Sequence, residues 1–433
     1  METKLVRIAD RAKRYPGEVF TSLYHVINQD LLLACHQELD GKKATGIDQV
    51  TKQSYEKNLT DNINRLVEQL KRKAYRPQAV KRVYIPKGEG NEQRPLGISC
   101  YEDKIVQLAL KKILEALFEP LFLEDSYGFR PNRNAHQAIQ KLDGQIKRGK
   151  VNYIVDADIQ GFFQHVNQEW LIKCIQVRMK DPNILRLLQR LLKAGILEEG
   201  EWEESESGTP QGSIISPLLA NIYLHYVLDL WFEKGVKPNI QGEGYIVRYA
   251  DDFVCGFQYE EDARNFLKAL VHQLAKYSLK INSDKSKIIQ FGRFAEEDRA
   301  KKGLGKPETF DFLGFTHFCS QSRIGRFRVK RKTSRKKFQA KIVSFKEWIK
   351  ANRHKELTEI FTTVKAKLIG HYRYYGITDN SRMITRYRFE VEKLLFKWLN
   401  RRSQRKSFTF DQFNRYLERY PLPNPKIYVS VLG

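Results

Sequence analysis

Paired cysteines are absent from this sequence. Its five, Cys35, Cys100, Cys174, Cys255 and Cys319, are scattered with no C-x-x-C spacing among them. Disulfide frameworks and zinc sites are built on closely spaced pairs, so neither is expected, and the five read as reduced thiols of a cytoplasmic protein. No apolar run approaches the roughly 20 residues of a spanning helix, so no membrane partner is expected. The opening "METKLVRIADRAKRYPGEVF" is charged throughout and lacks the apolar core of a secretory signal. Repeats and low-complexity stretches are also missing. Acidic residues are scarce: 51 Asp and Glu stand against 76 Lys and Arg, a net charge of +25 with a pI near 9.7. That excess suits a polyanionic partner, nucleic acid above all, although a merely soluble surface carries charge too.

What is present is globular. Hydrophobic residues make up 41% of 433 positions and aromatics 12%, enough for two to four domains rather than a disordered chain. Residues 1 to about 35 read as helical. Ile63, Leu66, Val67 and Leu70 recur at helical spacing, and "AVKRVYIPKGEGNEQRPLGI" reads as strand, Gly-rich turn, strand. "YEDKIVQLALKKILEALFEPLF" is an amphipathic helix stopped by Pro120, "VNYIVDADI" is a strand, and "QEWLIKCIQVRMK" is a helix. A long apolar helix follows "GTPQGSIISP" and ends at Gly235. "GYIVRYADDFVCGF" forms two strands about a turn at Ala250-Asp251, then come a helix over "EDARNFLKALVHQLAKYSL" and a strand over "TFDFLGFTHF". This order predicts an antiparallel sheet backed by helices, an α+β architecture. From residue 326 the chain turns heavily basic and is expected to be helical, so a domain boundary is placed there.

Two acidic stretches raise a chemical question, because carboxylates in apolar strands are costly unless something positive meets them. Strand alternation puts Asp156 and Asp158 on one face, while Asp251 and Asp252 diverge at their turn. A turn carrying Asp251 beside a strand carrying Asp158 would offer two carboxylates to divalent cations. Mg²⁺ suits them, since it takes one or two carboxylates together with substrate phosphates. Taken alone, "ADD" is more simply a turn. Lys87 and Arg94 straddle a flexible tip as a phosphate clamp would, or as a solvated basic hairpin would. "GTPQG" lets backbone approach a ligand and supplies the Gln211 amide, or simply leads into a helix capped at Ser216.

Taken in order, "IPKGEGNEQRPLGI", "SYGFRPNRNAHQAI", "VDADIQGFF", "GTPQGSIISPLLANIYL", "YADD", "LKINSDKSKI" and "FDFLGF" resemble a reverse transcriptase. With the "GTPQG" segment the likeness narrows to group II intron-encoded reverse transcriptase/maturases. It covers residues 40 to 320, and "KAKLIGHYRYYGI" resembles the helical thumb, or maturase, region. The resemblance implies a right-hand polymerase: an N-terminal extension (1–35), fingers with part of the palm (36–145), palm (146–325), an α-helical thumb/maturase domain (326–380) and a basic C-terminal segment (381–433). It implies two Mg²⁺ ions on Asp158, Asp251 and Asp252, with Asp251 the stronger ligand of the turn pair. Lys87 and Arg94 would contact the incoming triphosphate. Gln211 would line the nucleotide pocket, Phe163 would lie against the sugar 2′ position, and Lys285 would protonate leaving pyrophosphate. Asp156 matches no catalytic position and is read as structural.

The implied reaction is RNA-directed DNA synthesis from an RNA template, a DNA or RNA primer and dNTPs, with a cognate group II intron RNA as a further partner. Many relatives continue into a nuclease domain with paired cysteines; none follows here, so endonuclease activity is not expected. Two rivals stand beside the polymerase. An RNA-binding splicing cofactor would use the same basic surface, and a host-adopted repair or defence enzyme would keep the same motifs.

Overall fold

The computed structural model describes residues 2–86, 93–198, 201–203, 208, 212–322, 324–402 and 408–431. They gather into two compact units, one of residues 2–86, 93–138 and 154–288 and the other of 139–153 and 289–431. This division cuts the chain elsewhere than the fingers, palm and thumb partition, which is functional in origin.

In the first unit, the helix expected over residues 1–35 is broken. It runs over Glu2–Arg14 and resumes over Gln29–Glu38, where the Asn28 side chain accepts from the Leu31 N–H at 3.0 Å. Pro16 explains the gap, since it disfavours helical backbone at Tyr15. The fully buried Arg178 caps the first helix, donating to the carbonyls of Ala12 (3.0 Å), Tyr15 (2.9 Å) and Pro16. Asp181 accepts the N–H groups of Leu23 (2.7 Å) and Tyr24 (2.8 Å), so the extension is tied into the unit by one cation and one anion.

Eight strands lie wholly or partly in this unit: β1 (Val80–Pro86), β2 (Gln93–Ile98), β3 (Tyr153–Asp158), β4 (Ile196–Glu198), β5 (Glu201–Glu203), β6 (Gly244–Tyr249), β7 (Asp252–Phe257) and β8 (Lys287–Gln290). One sheet has the order β2-β1-β4-β5, the other β6-β7-β3-β8. The expected basic hairpin is the antiparallel β1–β2 pair, closed at Pro86↔Gln93. The "YADD" hairpin is the antiparallel β6–β7 pair, closed at Tyr249↔Asp252. Its strands are buried along most of their length, which is why they read as nearly continuous apolar runs. Phe257 of β7 packs on Phe266 of the helix Glu260–Lys276 at 5.0 Å between ring centroids, so the sheet is helix-backed as expected.

The apolar helix after "GTPQGSIISP" does not stop at Gly235. It is α-helical over Ser216–Leu224, widens into π turns over His225–Asp229 and Phe232–Val236, and closes with a 3₁₀ turn at Lys237–Asn239.

The second unit holds β9 (Phe310–Phe312), β10 (Phe315–Gln321) and β11 (Phe327–Thr333), in the order β11-β10-β9. Two expectations are corrected here. "TFDFLGFTHF" is a hairpin rather than one strand, because Leu313 and Gly314 both take positive φ (51° and 80°) and reverse the chain. "RFRVKRKT" is a strand, not helix. Val329, Arg331 and Thr333 face inward with period two, and Arg331, paired with buried Asp143 at 2.5 Å, disguises the pattern as polar. Helices Arg335–Asn352, Leu357–Tyr375, Ser381–Leu399 and Phe410–Arg419 follow. One apolar core runs through Phe338, Phe361, Leu368, Val391, Leu395, Phe413 and on to Leu422 and Val431. The last stretch is laced to the bundle, with the Tyr428 and Val429 N–H groups donating to the Gly376 carbonyl at 2.7 and 3.0 Å. All five cysteines are free. No helix among the described residues is long and apolar enough to cross a membrane.

Candidate active site

The Ala250-Asp251 turn is built from beneath. Arg248 of β6 is fully buried, and its guanidinium meets buried Asp229 through two bonds, at 2.7 and 2.5 Å. Its remaining reach goes to the Ala250 carbonyl at 2.9 Å and the Asn221 side chain at 3.1 Å. Asp229 lies in the first π turn and Asn221 on the α-helical stretch before it. A lone buried guanidinium would cost several kcal/mol, so this pairing is what permits a cation inside the sheet. From the other side, Asn221 donates to the Gly128 carbonyl at 2.6 Å. Gly128 is pressed so close to the turn that a Cβ there would lie 2.2 Å from the Ala250 nitrogen. Ala250 itself is buried and held at φ 58°. The turn is therefore rigid, and it carries Asp251, half-buried, and Asp252, exposed.

Asp158 closes β3, the strand hydrogen-bonded beside β7, which Asp252 opens. Its side chain is 51% exposed, and Lys285 Nζ stands 3.5 Å from its carboxylate. The peptide of Asp158 is pinned at both ends: its N–H donates to Ser286 Oγ at 3.2 Å, and its carbonyl accepts from the Asn282 N–H at 2.8 Å. The sequence-derived trio of Asp158, Asp251 and Lys285 thus falls on one sheet and the segment leading into its edge strand β8. Asp156 is half-buried two residues earlier on the same strand. Among the described residues, no group of three or more His, Cys, Asp or Glu side chains is gathered to hold a metal ion unaided. The donors on offer are hard carboxylate oxygens, which fit Mg²⁺ completed by water and substrate phosphates better than an all-protein cage.

Phe162 and Phe163 differ in exposure. Phe162 is buried, whereas Phe163 is half-exposed and edge-on to it, at 5.3 Å between centroids. Gly208, at the head of "GTPQG", donates its N–H to the Val166 carbonyl at 2.8 Å. A Cβ on Gly208 would come within 2.8 Å of the Phe163 and Gln164 carbonyls. Just past the same segment, Ser213 Oγ and the Ile214 N–H donate to buried Gln107 at 2.8 and 3.1 Å. Gln211 and Lys87 lie outside the described residues. Arg94 sits on β2 opposite Ile85, and no more is described of it.

Sequence reasoning missed the residues that brace the turn: Arg248, Asp229, Asn221 and Gly128. The signal was there in single polar residues inside apolar runs, "YIVRYADD" and "LLANIYL".

A family model described as reverse transcriptase (RNA-dependent DNA polymerase) matches residues 85–317. Group II intron-encoded protein LtrA of Lactococcus lactis subsp. cremoris is 31% identical over 304 residues, covering 68% of this chain and 50% of that protein. Protein YkfC of Escherichia coli (strain K12) is 32% identical over 323 residues, covering 67% of this chain and 80% of that protein. Nuclear intron maturase 1, mitochondrial, of Arabidopsis thaliana is 33% identical over 93 residues, 22% of this chain and 13% of that protein. The chain therefore spans about half the length of the Lactococcus relative.

Proposed function

The chain belongs to the reverse transcriptase (RNA-dependent DNA polymerase) family, and from that premise we propose that it copies an RNA template into DNA, extending a DNA or RNA primer with dNTPs. The observation that carries this reading is the rigid Ala250-Asp251 turn, braced by the buried Arg248–Asp229 pair and standing on the strand beside Asp158. A scaffold of buried charge under solvent-accessible carboxylates is costly to maintain and serves a site that handles charged substrate.

In this reading Asp158 and Asp251, with Asp252, hold two Mg²⁺ ions. When bound, the ions lower the pKa of the primer 3′-hydroxyl and stabilise the leaving oxygen. Lys285 protonates departing pyrophosphate, a role supported by its place 3.5 Å from Asp158. Lys87 and Arg94 neutralise the triphosphate, Gln211 lines the base pocket and Phe163 packs under the sugar. Residues 36–145 act as fingers with part of the palm, 146–325 as palm and 326–380 as thumb, flanked by the extension 1–35 and the basic segment 381–433. The setting is cytoplasmic.

Primer extension by purified Asp251→Asn is the test. Extension should be lost while RNA affinity stays near wild type, because affinity rests on phosphate contacts elsewhere. A variant extending at the wild-type rate sinks the assignment.

The net charge of +25, a relative named as a group II intron-encoded protein and another named as an intron maturase favour a second role, binding a cognate group II intron RNA to aid its splicing and mobility. In that role Asp251→Asn should still promote splicing of the intron.

A further inference from the structure

Phe129 stands one residue beyond Gly128, and the packing of the protein does not account for it. This bulky apolar residue is 51% exposed. Its backbone is nevertheless left-handed, at φ 57°, where glycine would sit without strain. Single exposed rings are common and by themselves mean nothing. Strained backbone, however, persists only where its surroundings enforce it, and it concentrates at functional sites.

Here the surroundings enforce it from both sides. Ser126 bridges Arg248 in parallel, and the Tyr127 N–H donates to the Arg248 carbonyl at 2.8 Å. The segment therefore climbs alongside β6 and delivers Gly128 onto Ala250, which leaves Phe129 one residue from that contact with the turn. On the far side Arg130 is buried, donating to the Leu123 and Ser126 carbonyls at 2.7 Å each and to Glu119 at 2.8 Å. Its guanidinium lies over the Phe122 ring, 5.3 Å from the centroid. The ring of Phe129 is thus held out to solvent by a locked backbone, beside the turn that carries Asp251.

We propose that Phe129 is a positioning residue for the primer, its ring packing the nucleoside at the primer 3′ end so that the 3′-hydroxyl is held over the Asp251 turn. This rests on the polymerase reading for its consequence in catalysis. An aromatic ring serves because every base has a π-face, and an enzyme that extends any terminus needs contact without sequence preference.

The experiment compares wild type with F129G, F129A and F129Y in single-turnover extension, thermal unfolding and photocrosslinking. F129G and F129A should extend about ten-fold slower or worse, since small misplacements of a reacting group are costly. F129Y should stay within about two-fold of wild type because it keeps the stacking face. The Tm of F129G should equal or exceed that of wild type, as glycine relieves the positive φ. A primer ending in 5-iododeoxyuridine, irradiated in the bound complex, should crosslink to the peptide carrying residue 129 in wild type and F129Y but not in F129G. That readout needs no chemistry. A wild type that crosslinks at residue 129 yet never extends a primer would refute the polymerase reading and keep the contact. Extension by F129G at the wild-type rate, a crosslink lying only in other peptides, or activity lost in step with Tm would overturn the proposal.

Discussion

At Phe163 one ring bears on which sugar the site accepts. Its neighbour Phe162 is core, whereas Phe163 is half-exposed where the chain leaves β3, its backbone held against Gly208. A ribose 2′-hydroxyl brought onto that ring collides or is desolvated without a partner, at a cost of about 1–3 kcal/mol. Phe163→Val should therefore admit rNTPs while keeping much of its dNTP activity, narrowing the selectivity by about ten-fold. Incorporation efficiencies for both nucleotide classes check this, and a proportional loss of both would reduce Phe163 to a support for the fold. Asp158 and Asp251 were legible in the sequence because a carboxylate in a β-run is conspicuous, whereas Lys285 was singled out only through the family resemblance. The bracing residues were not legible, because their meaning depends on partners elsewhere in the chain, Arg248 on Asp229 in the π turn before β6 and Gly128 on Ala250 more than a hundred residues on.

Elements were legible where turn residues punctuated short strands, as in the β1–β2 and β6–β7 hairpins, or where helical periodicity was clean, as in the helix Glu260–Lys276. They were misread where a buried polar residue broke the pattern, as Arg331 did in β11, or where a turn used a residue without turn signature, as Leu313 did. The π turn carrying Asp229 is a third case, since no sequence period announces a locally widened helix. Its pairing with Arg248 is open to a double-mutant test. Arg248→Met alone strands a buried carboxylate and should lose about 3–5 kcal/mol in urea unfolding. Adding Asp229→Leu should recover most of that stability, but not primer extension, because the Ala250 carbonyl still lacks its donor. Gly128→Ala probes the same turn from the other side. A Cβ 2.2 Å from the Ala250 nitrogen forces the turn to move, and extension should fall about 10²-fold with little change in RNA affinity. Equal losses in binding and extension would contradict it.

For the molecule as a whole, charge and buried titration set the working conditions. If about six to ten phosphates are contacted, RNA affinity should drop roughly 10³- to 10⁵-fold between 50 and 200 mM salt, and neutralising the exposed Lys332, Arg335, Lys336 and Lys337 should flatten the slope. Salt-insensitive binding would remove the electrostatic argument. Burial lowers three histidines, His317 and His371 to about 3 and His225 to about 4, so the fold keeps them neutral. Their contribution is full above the unfolded value near 6.5 and is lost as pH falls towards those folded values. Asp103 works the other way: burial raises it to about 6, so it takes up a proton in the fold first and offsets one histidine. Burial also lowers His36 and raises Glu115, so four histidines stand against two carboxylates and the protein should lose Tm between pH 6 and 4, checked by unfolding at constant ionic strength; a flat or rising profile would contradict it.

The lacing of Tyr428 and Val429 onto Gly376 also matters before the protein is finished. The second unit is assembled from residues 139–153 and 289–431, whereas the first is complete by residue 288. On the ribosome, the first unit can settle while Ile139, Leu142 and Ile146, buried in the finished protein, still wait for partners about 150 residues behind them in synthesis. The emerging chain must carry the unsatisfied apolar face of the helix Ala135–Arg148 until residues 422–431 are released. Slow translation through that interval should expose that face to chaperones and proteases, and synonymous codons there should affect yield more than those before residue 138.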